Sequence, residues 1–370
     1  MSLTTPPPTG PTGSPNVHGP NGPGILSTNN LTEKWSRNTD AYSYCVSAFS
    51  PDGKTIARVY QRGVDILDAE TGRQIAAMRE REHPRDDGAK TWAVPSYPEI
   101  VRYSPDGKTL AAIGEHVQGV SLIDTERLQV KPRIPSPFPQ SRVGSFNFSP
   151  TENLLALGHS MGATIVDLTS GKTQEVISVK KSDPYFSPAV AFSQSGDELF
   201  VGSKDRLYVY DLKIKKIIRR YPEGSDVELR LGYIRSDYAQ PKSIIHLPNK
   251  NLLALFYGST VDFRDPISLQ RVSTIDLLSI LPKSAKSMCS NKDGDRLYFG
   301  VPEINTGEKN GNIELDTSGI FALETDTGKL ISHCIVTGEE RQKDCQNIDC
   351  SPTGGLLIAD FGPFTKAFEA

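Results

Sequence analysis

Residues 49–55 read FSPDGKT and residues 103–109 read YSPDGKT. A seven-residue phrase that returns 54 residues later constrains the fold more than any total does. A chain with a fixed period builds one supersecondary unit several times and buries each unit against its neighbours. Weaker copies follow: FNFSPTENLL at 146–155, AFSQSGDEL at 191–199, IHLPNKNLL at 245–253, MCSNKDGDRL at 288–297 and DCSPTGGLL at 349–357. The turn positions 51, 105, 150, 194, 248, 291 and 352 are spaced by 54, 45, 44, 54, 43 and 61 residues.

Each copy has the same internal order. An alternating apolar strand ending in a large residue, such as Val46 to Phe49, leads into the tight turn Ser50-Pro51-Asp52-Gly53. Proline pre-sets the first turning residue and glycine accepts the positive φ that closes the turn. A second apolar strand follows (Thr55 to Tyr60, Thr109 to Ile113, Leu154 to Leu157). A third ends at aspartate in Leu67-Asp68, Ile123-Asp124, Val166-Asp167 and Tyr210-Asp211, and a short turn leads to a fourth. Four short strands every 43 to 61 residues are the pattern of a propeller blade. The expected fold is all-β: a seven-bladed β-propeller of four-stranded antiparallel blades.

The phrase FSPDGKT, followed by a strand ending in Leu67-Asp68, resembles WD-repeat and related seven-bladed propellers over residues 31–370. No Trp-Asp dipeptide occurs, and the Gly158-His159 pair falls in a second strand rather than ahead of a first one. The last unit has strands at Asn347 to Cys350, Leu356 to Phe361 and Thr365 to Glu369, then runs out of chain. Leu31 to Ser36 has no unit of its own and is expected to supply the missing outer strand, a clasp that the resemblance also implies. Residues 1–30 are read as a disordered tail, because the first 24 carry seven prolines, five glycines and few large apolar groups.

Totals narrow the function classes. With 41 basic and 44 acidic residues the net charge is -3, which speaks against nucleic acid or an anionic membrane as partner. No apolar run approaches the length of a transmembrane helix. The N-terminus lacks the pattern of a signal peptide, and five cysteines suggest no disulfide framework. The expected setting is a cytoplasmic monomer. Cys289, Cys350 and His246 are placed two residues before their turns, in the slot of Phe49 and Tyr103, and read as core. No nucleophile elbow, phosphate loop or zinc spacing appears, so no cofactor and no metal is expected.

Extra length is concentrated between units (79–98, 131–142, 179–188, 222–241, 337–345) and between the second and third strands of unit six (302–318). In an up-and-down blade both kinds of connection emerge at the same end of the ring. Function sits on loops displayed by a rigid scaffold. Candidate protein-binding residues there are Arg85, Trp92, Tyr97, Tyr233, Arg235 and Tyr238, the residue types enriched at interface hot spots. The leading expectation is a non-catalytic scaffold that binds a protein partner through this end. The alternative is a hydrolase or lactonase at the mouth of the axial channel, for which Asp65, His116, His159 and Asp262 are the candidates.

Overall fold

The computed structural model describes residues 29–38, 44–61, 63–79, 83–84, 90–91, 94–95, 97–115, 119–138, 141–179, 187–203, 206–221, 240–304, 308–309, 312–313, 317–336 and 344–370. Seven antiparallel blades form a ring. Blade 1 consists of Cys45–Phe49, Thr55–Tyr60, Gly63–Asp68 and Gln74–Arg79, hydrogen-bonded in that order from the axis outward. Blades 2 to 5 repeat the order over 97–134, 143–178, 189–221 and 243–276, and blade 6 over 287–336. The second and third strands are buried almost throughout while the outer strands alternate with solvent, as in Gln74–Arg79. That gradient is what wedge-shaped sheets packed face to face around an axis produce.

The turn chemistry explains the repeated phrase. Thr55 N–H donates to Ser50 Oγ at 3.0 Å, Ser50 Oγ donates to Asp52 Oδ1 at 2.7 Å, and Gly53 N–H closes the turn on Ser50 O at 2.9 Å. Gly53 has φ +69°, and a Cβ there would meet Thr353 Oγ1 of blade 7 at 2.5 Å, so the position requires glycine twice over. In blade 5 Asn251 takes the left-handed conformation instead, at φ 50°, as asparagine tolerates. The aspartates that end third strands also work in turns. Asp68, Asp124, Asp167 and Asp211 each accept the N–H of a residue three positions on, at 2.9, 2.9, 2.7 and 2.9 Å. Hydrogen bonds in these turns hold the carboxyls of Asp68, Asp124 and Asp167 below the usual range, led by the Thr71 hydroxyl for Asp68, the Arg127 N–H for Asp124 and the Ser170 N–H for Asp167.

Blade 7 is built from both ends of the described chain. Its inner strands are Cys345–Cys350, Leu356–Phe361 and Phe364–Glu369, and its outer strand is Glu33–Asn38, antiparallel to Phe364–Glu369. The expected clasp therefore exists, two residues further along than its sequence bounds. Just before it, Asn29–Asn30 adds a short parallel fifth strand to blade 6 opposite Ser332 and His333. Residues 1–28 lie outside the described residues, and so does the expectation made for them. Among the described residues no helix is long and apolar enough to cross a membrane.

One register assignment differs from the sequence reading. Phe49 pairs with Ile56 and Cys350 with Leu357, but in blade 6 it is Ser290 that pairs with the equivalent Leu297. Gly294 N–H closes that turn on Asn291 O, as Gly53 does on Ser50 O. Cys289 is thus one residue earlier than placed, level with Ala48, Arg102, Asn147 and Asp349. The error came from a turn that lacks the proline used to align it.

Candidate functional site

The strand order puts the long connections at one end of the ring, as expected. The link between blades 5 and 6, residues 277–286 with a 3-10 turn at Leu277–Ser279, joins them there although its length drew no notice in the sequence. The described part of this end is richest over blade 1 and the start of blade 2. Tyr44 precedes the first strand of blade 1, held by the adjacent Cys45 N–H, which donates to Gly362 O of blade 7 at 2.8 Å. Tyr97 opens the first strand of blade 2, paired with Glu115. Their rings lie 6.4 Å apart, tilted by 54°, and the residues are 40% and 43% exposed.

On the face of blade 1 turned toward blade 7, Arg79 ends the outer strand. Its guanidinium lies 5.0 Å from the Tyr60 ring centroid and donates to Asp65 Oδ1 at 3.0 Å. Asp65 is enclosed and also accepts from Tyr60 OH at 3.0 Å and from Arg58 Nη2 at 2.7 Å. Burial, then the Asp65 charge, pushes the Tyr60 phenol well above its ordinary range, so it stays a donor. Arg58 is itself enclosed and donates to Arg37 O of the clasp at 3.2 Å. A buried ion pair, Arg58 with Asp65, therefore ties the clasp to blade 1.

Of the six residues proposed from sequence, Tyr97 stands on this surface. Arg85, Trp92, Tyr233, Arg235 and Tyr238 lie outside the described residues, as does His116. Tyr44, Tyr60 and Arg79 were not singled out. Their signal was available, because they flank the long 79–98 connection or stand at strand ends that face it.

The three described candidates for chemistry are not brought together. Asp65 is bonded within blade 1. Asp262 belongs to blade 5, where it accepts from Thr274 Oγ1 at 2.8 Å and faces Arg271 Nε at 3.2 Å. His159 is enclosed in blade 3, its Nε2 2.8 Å from Thr164 Oγ1, and burial lowers its pKa to about 4. The ionisable groups that do approach one another near the axis are Arg102 and Asp349, at equivalent positions of blades 2 and 7 with Ala48 between them. Burial pushes Asp349 up to about 6, opposed by its bond from Phe49 N–H and by the Arg102 charge. Both Asp349 oxygens are engaged by backbone: Oδ2 accepts from Phe49 N and Oδ1 from Cys350 N, each at 3.0 Å. That carboxylate straps two blades together and has little capacity left for a general base. No group of three or more metal-ligating side chains occurs among the described residues.

The sequence matches no protein-family model and no curated protein. The architecture that the coordinates establish is the seven-bladed propeller.

Proposed function

We propose that the chain is a WD-repeat-like, non-catalytic propeller that holds a protein partner on its loop-bearing end. The observation that carries this reading is the pair of exposed tyrosines, Tyr44 and Tyr97, contributed by neighbouring blades at the loop-bearing end. Aromatic rings held at fixed spacing offer large contact area at small entropic cost. The mechanism is preorganisation. The strands of the ring fix the anchors before the partner arrives, so little ordering remains to be done on binding.

The test compares two surface variants in affinity capture from native lysate. Tyr44→Ala with Trp92→Ala and Tyr97→Ala alters the loop-bearing end. Ile214→Ser with Ile267→Ser alters hairpin turns at the opposite end, where those residues are 55% and 67% exposed. The expected outcome is a partner held by the wild type and the second variant and weakened about a thousandfold by the first, as two hot-spot losses of about 2 kcal/mol each would give. A partner lost only with the Ile214 and Ile267 changes would move the binding surface to the other end and end this proposal.

A further inference from the structure

Neighbouring inner strands in this ring meet in a recurring way. The side chain three residues before the turn in one blade reaches the residue two before the turn in the next. In blades 3 and 4 that contact is Asn147 Oδ1 accepting from Phe192 N–H at 3.4 Å. In blades 7 and 1 it is Asp349 accepting from Phe49 N–H at 3.0 Å. In blades 6 and 7 the same positions are Cys289 and Cys350, and their sulfurs lie 2.9 Å apart, both as free thiols. The geometry that elsewhere makes an inter-blade hydrogen bond here brings two thiols together.

We propose that Cys289 and Cys350 are a redox modification site: a small-molecule disulfide oxidises them to a reversible cross-link that bolts blade 6 to blade 7. The other buried cysteines have different neighbours. Cys45 Sγ is 3.7 Å from Asp360 Oδ1 and Cys345 Sγ is 3.7 Å from Asn347 O. Access is one-sided. A cleft between the two hairpin turns, lined by Lys292, Arg296, Tyr298, Thr353 and Cys350, opens at the end of the ring away from the long loops. Cys350 reaches this cleft, whereas Cys289 lies deeper, at 8% exposure.

The order of events follows from that access. The Cys350 thiol gives its proton to solvent and attacks one sulfur of the incoming disulfide. A Cys350–reagent bond forms, the reagent's own sulfur–sulfur bond breaks, and one reagent thiol leaves. Cys289 then loses its proton and attacks the Cys350 sulfur, expelling the second reagent thiol. Two protein thiols are oxidised to one disulfide and one reagent disulfide is reduced to two thiols, so electrons and protons balance. Burial pushes both thiols above their ordinary range, which keeps the pair reduced against brief exposure and makes the reaction faster as pH rises.

The experiment incubates the native protein with oxidised glutathione at pH 8, blocks remaining thiols by alkylation and maps tryptic peptides by mass spectrometry. Cys289 falls in peptide 287–292 and Cys350 in peptide 344–366, which also holds Cys345, so fragmentation between those two assigns the bond. Two of the five thiols should be lost per chain, with peptides 287–292 and 344–366 joined through Cys350. The join should survive Cys345→Ala, disappear in Cys350→Ser, reverse with dithiothreitol, and form faster at pH 8 than at pH 7. All thiols remaining alkylated in the wild type would overturn the proposal. So would a join through Cys345, or glutathione resting on Cys350 with Cys289 still alkylated.

Discussion

Blades 3 and 4 and blades 7 and 1 are neighbours of the same kind, yet they are held by different means. Blades 3 and 4 share one apolar cluster in which Ile165 and Ile177 face Val190, Phe192 and Tyr208, with separate polar ties around it, among them Ser145 Oγ to Pro188 O at 2.5 Å and Tyr210 OH to Glu175 Oε2 at 3.2 Å. Blades 7 and 1 share a smaller cluster around Phe49, Leu67, Ile358 and Trp35, and beside it a dense set of directed bonds. Asp360 accepts from Ser47 N at 2.7 Å, Ser47 Oγ at 2.7 Å, Thr365 Oγ1 at 2.6 Å and Asn347 Nδ2 at 2.9 Å. Asn347 Nδ2 also donates to Ser47 O at 2.8 Å, so side chains of blade 7 satisfy both edge groups of Ser47. Further out, Trp35 Nε1 donates to Ala69 O at 3.0 Å, Lys34 pairs with Glu70, and the Trp35 ring fills the space where a Gly72 Cβ would stand. Blades 3 and 4 follow one another along the chain, so the connection itself keeps their apolar faces and scattered polar ties close. The closing pair is separated by about 300 residues, as the 300-residue span of the Asn347–Ser47 bond records, and must bring the ends together against loop entropy. Directed bonds there also choose the register, which apolar packing specifies poorly.

The sharpest way to break this comparison is to remove the clasp. Deleting residues 1–25 should leave the thermal midpoint within a degree or two. Deleting residues 1–40 removes the outer strand of blade 7, Trp35 and the two carbonyls that Arg58 caps, and should abolish cooperative unfolding by circular dichroism. Equal midpoints for the two deletions would show that area, not closure, holds the ring.

A smaller effect compares one polar residue from each seam. Asp360→Ala removes the acceptor shared by four donors in a site with no exposure and should cost about 4 kcal/mol in urea unfolding. Asn147→Ala removes one long bond to Phe192 N and should cost about 1 kcal/mol or less. Comparable losses would mean that the two seams are the same device.

The difference between the seams also marks what the sequence made legible. The blade count, the turn residues and the clasp follow from local rules of period, proline and positive φ, which need no neighbour to be read. The binding of Asp360 to Ser47 does not, because it joins positions 313 residues apart and each looks ordinary alone. Arg102 and Asp349 were more nearly legible. Aligned on the turns, they are charges at an inner-strand position held by Ala48 and Ala191 in other blades. Cys289 was misread for a local reason: its turn begins Asn291-Lys292, without the Ser-Pro that anchors the count in blades 1, 2, 3 and 7. Of the proposed interface only Tyr97 could be followed into space, since the other five candidates lie outside the described residues.

The smallest effect concerns pH, and here blade 3 and the closing seam should respond with opposite sign. His159 titrates near 4 in the folded chain against about 6.5 unfolded. At high pH both states are neutral. As pH falls from 6.5 to 4 the unfolded chain takes up a proton that the folded chain refuses, so blade 3 loses stability on acidification. Asp349 titrates near 6 folded against about 3.9 unfolded, and burial raises Asp360 in the same direction. Between about pH 4 and 6 the folded chain holds a proton that the unfolded chain has released, so this contribution is largest in acid and fades as pH rises. The His159 and Asp349 shifts each correspond to about 3 kcal/mol across their windows. His159→Gln should therefore flatten the loss of midpoint temperature on acidification, whereas Asp349→Asn should steepen it. Midpoints measured from pH 4 to pH 7 decide the matter. Parallel curves for both variants and the wild type would mean that neither group changes its protonation on folding, and that the seams differ in bonding geometry alone.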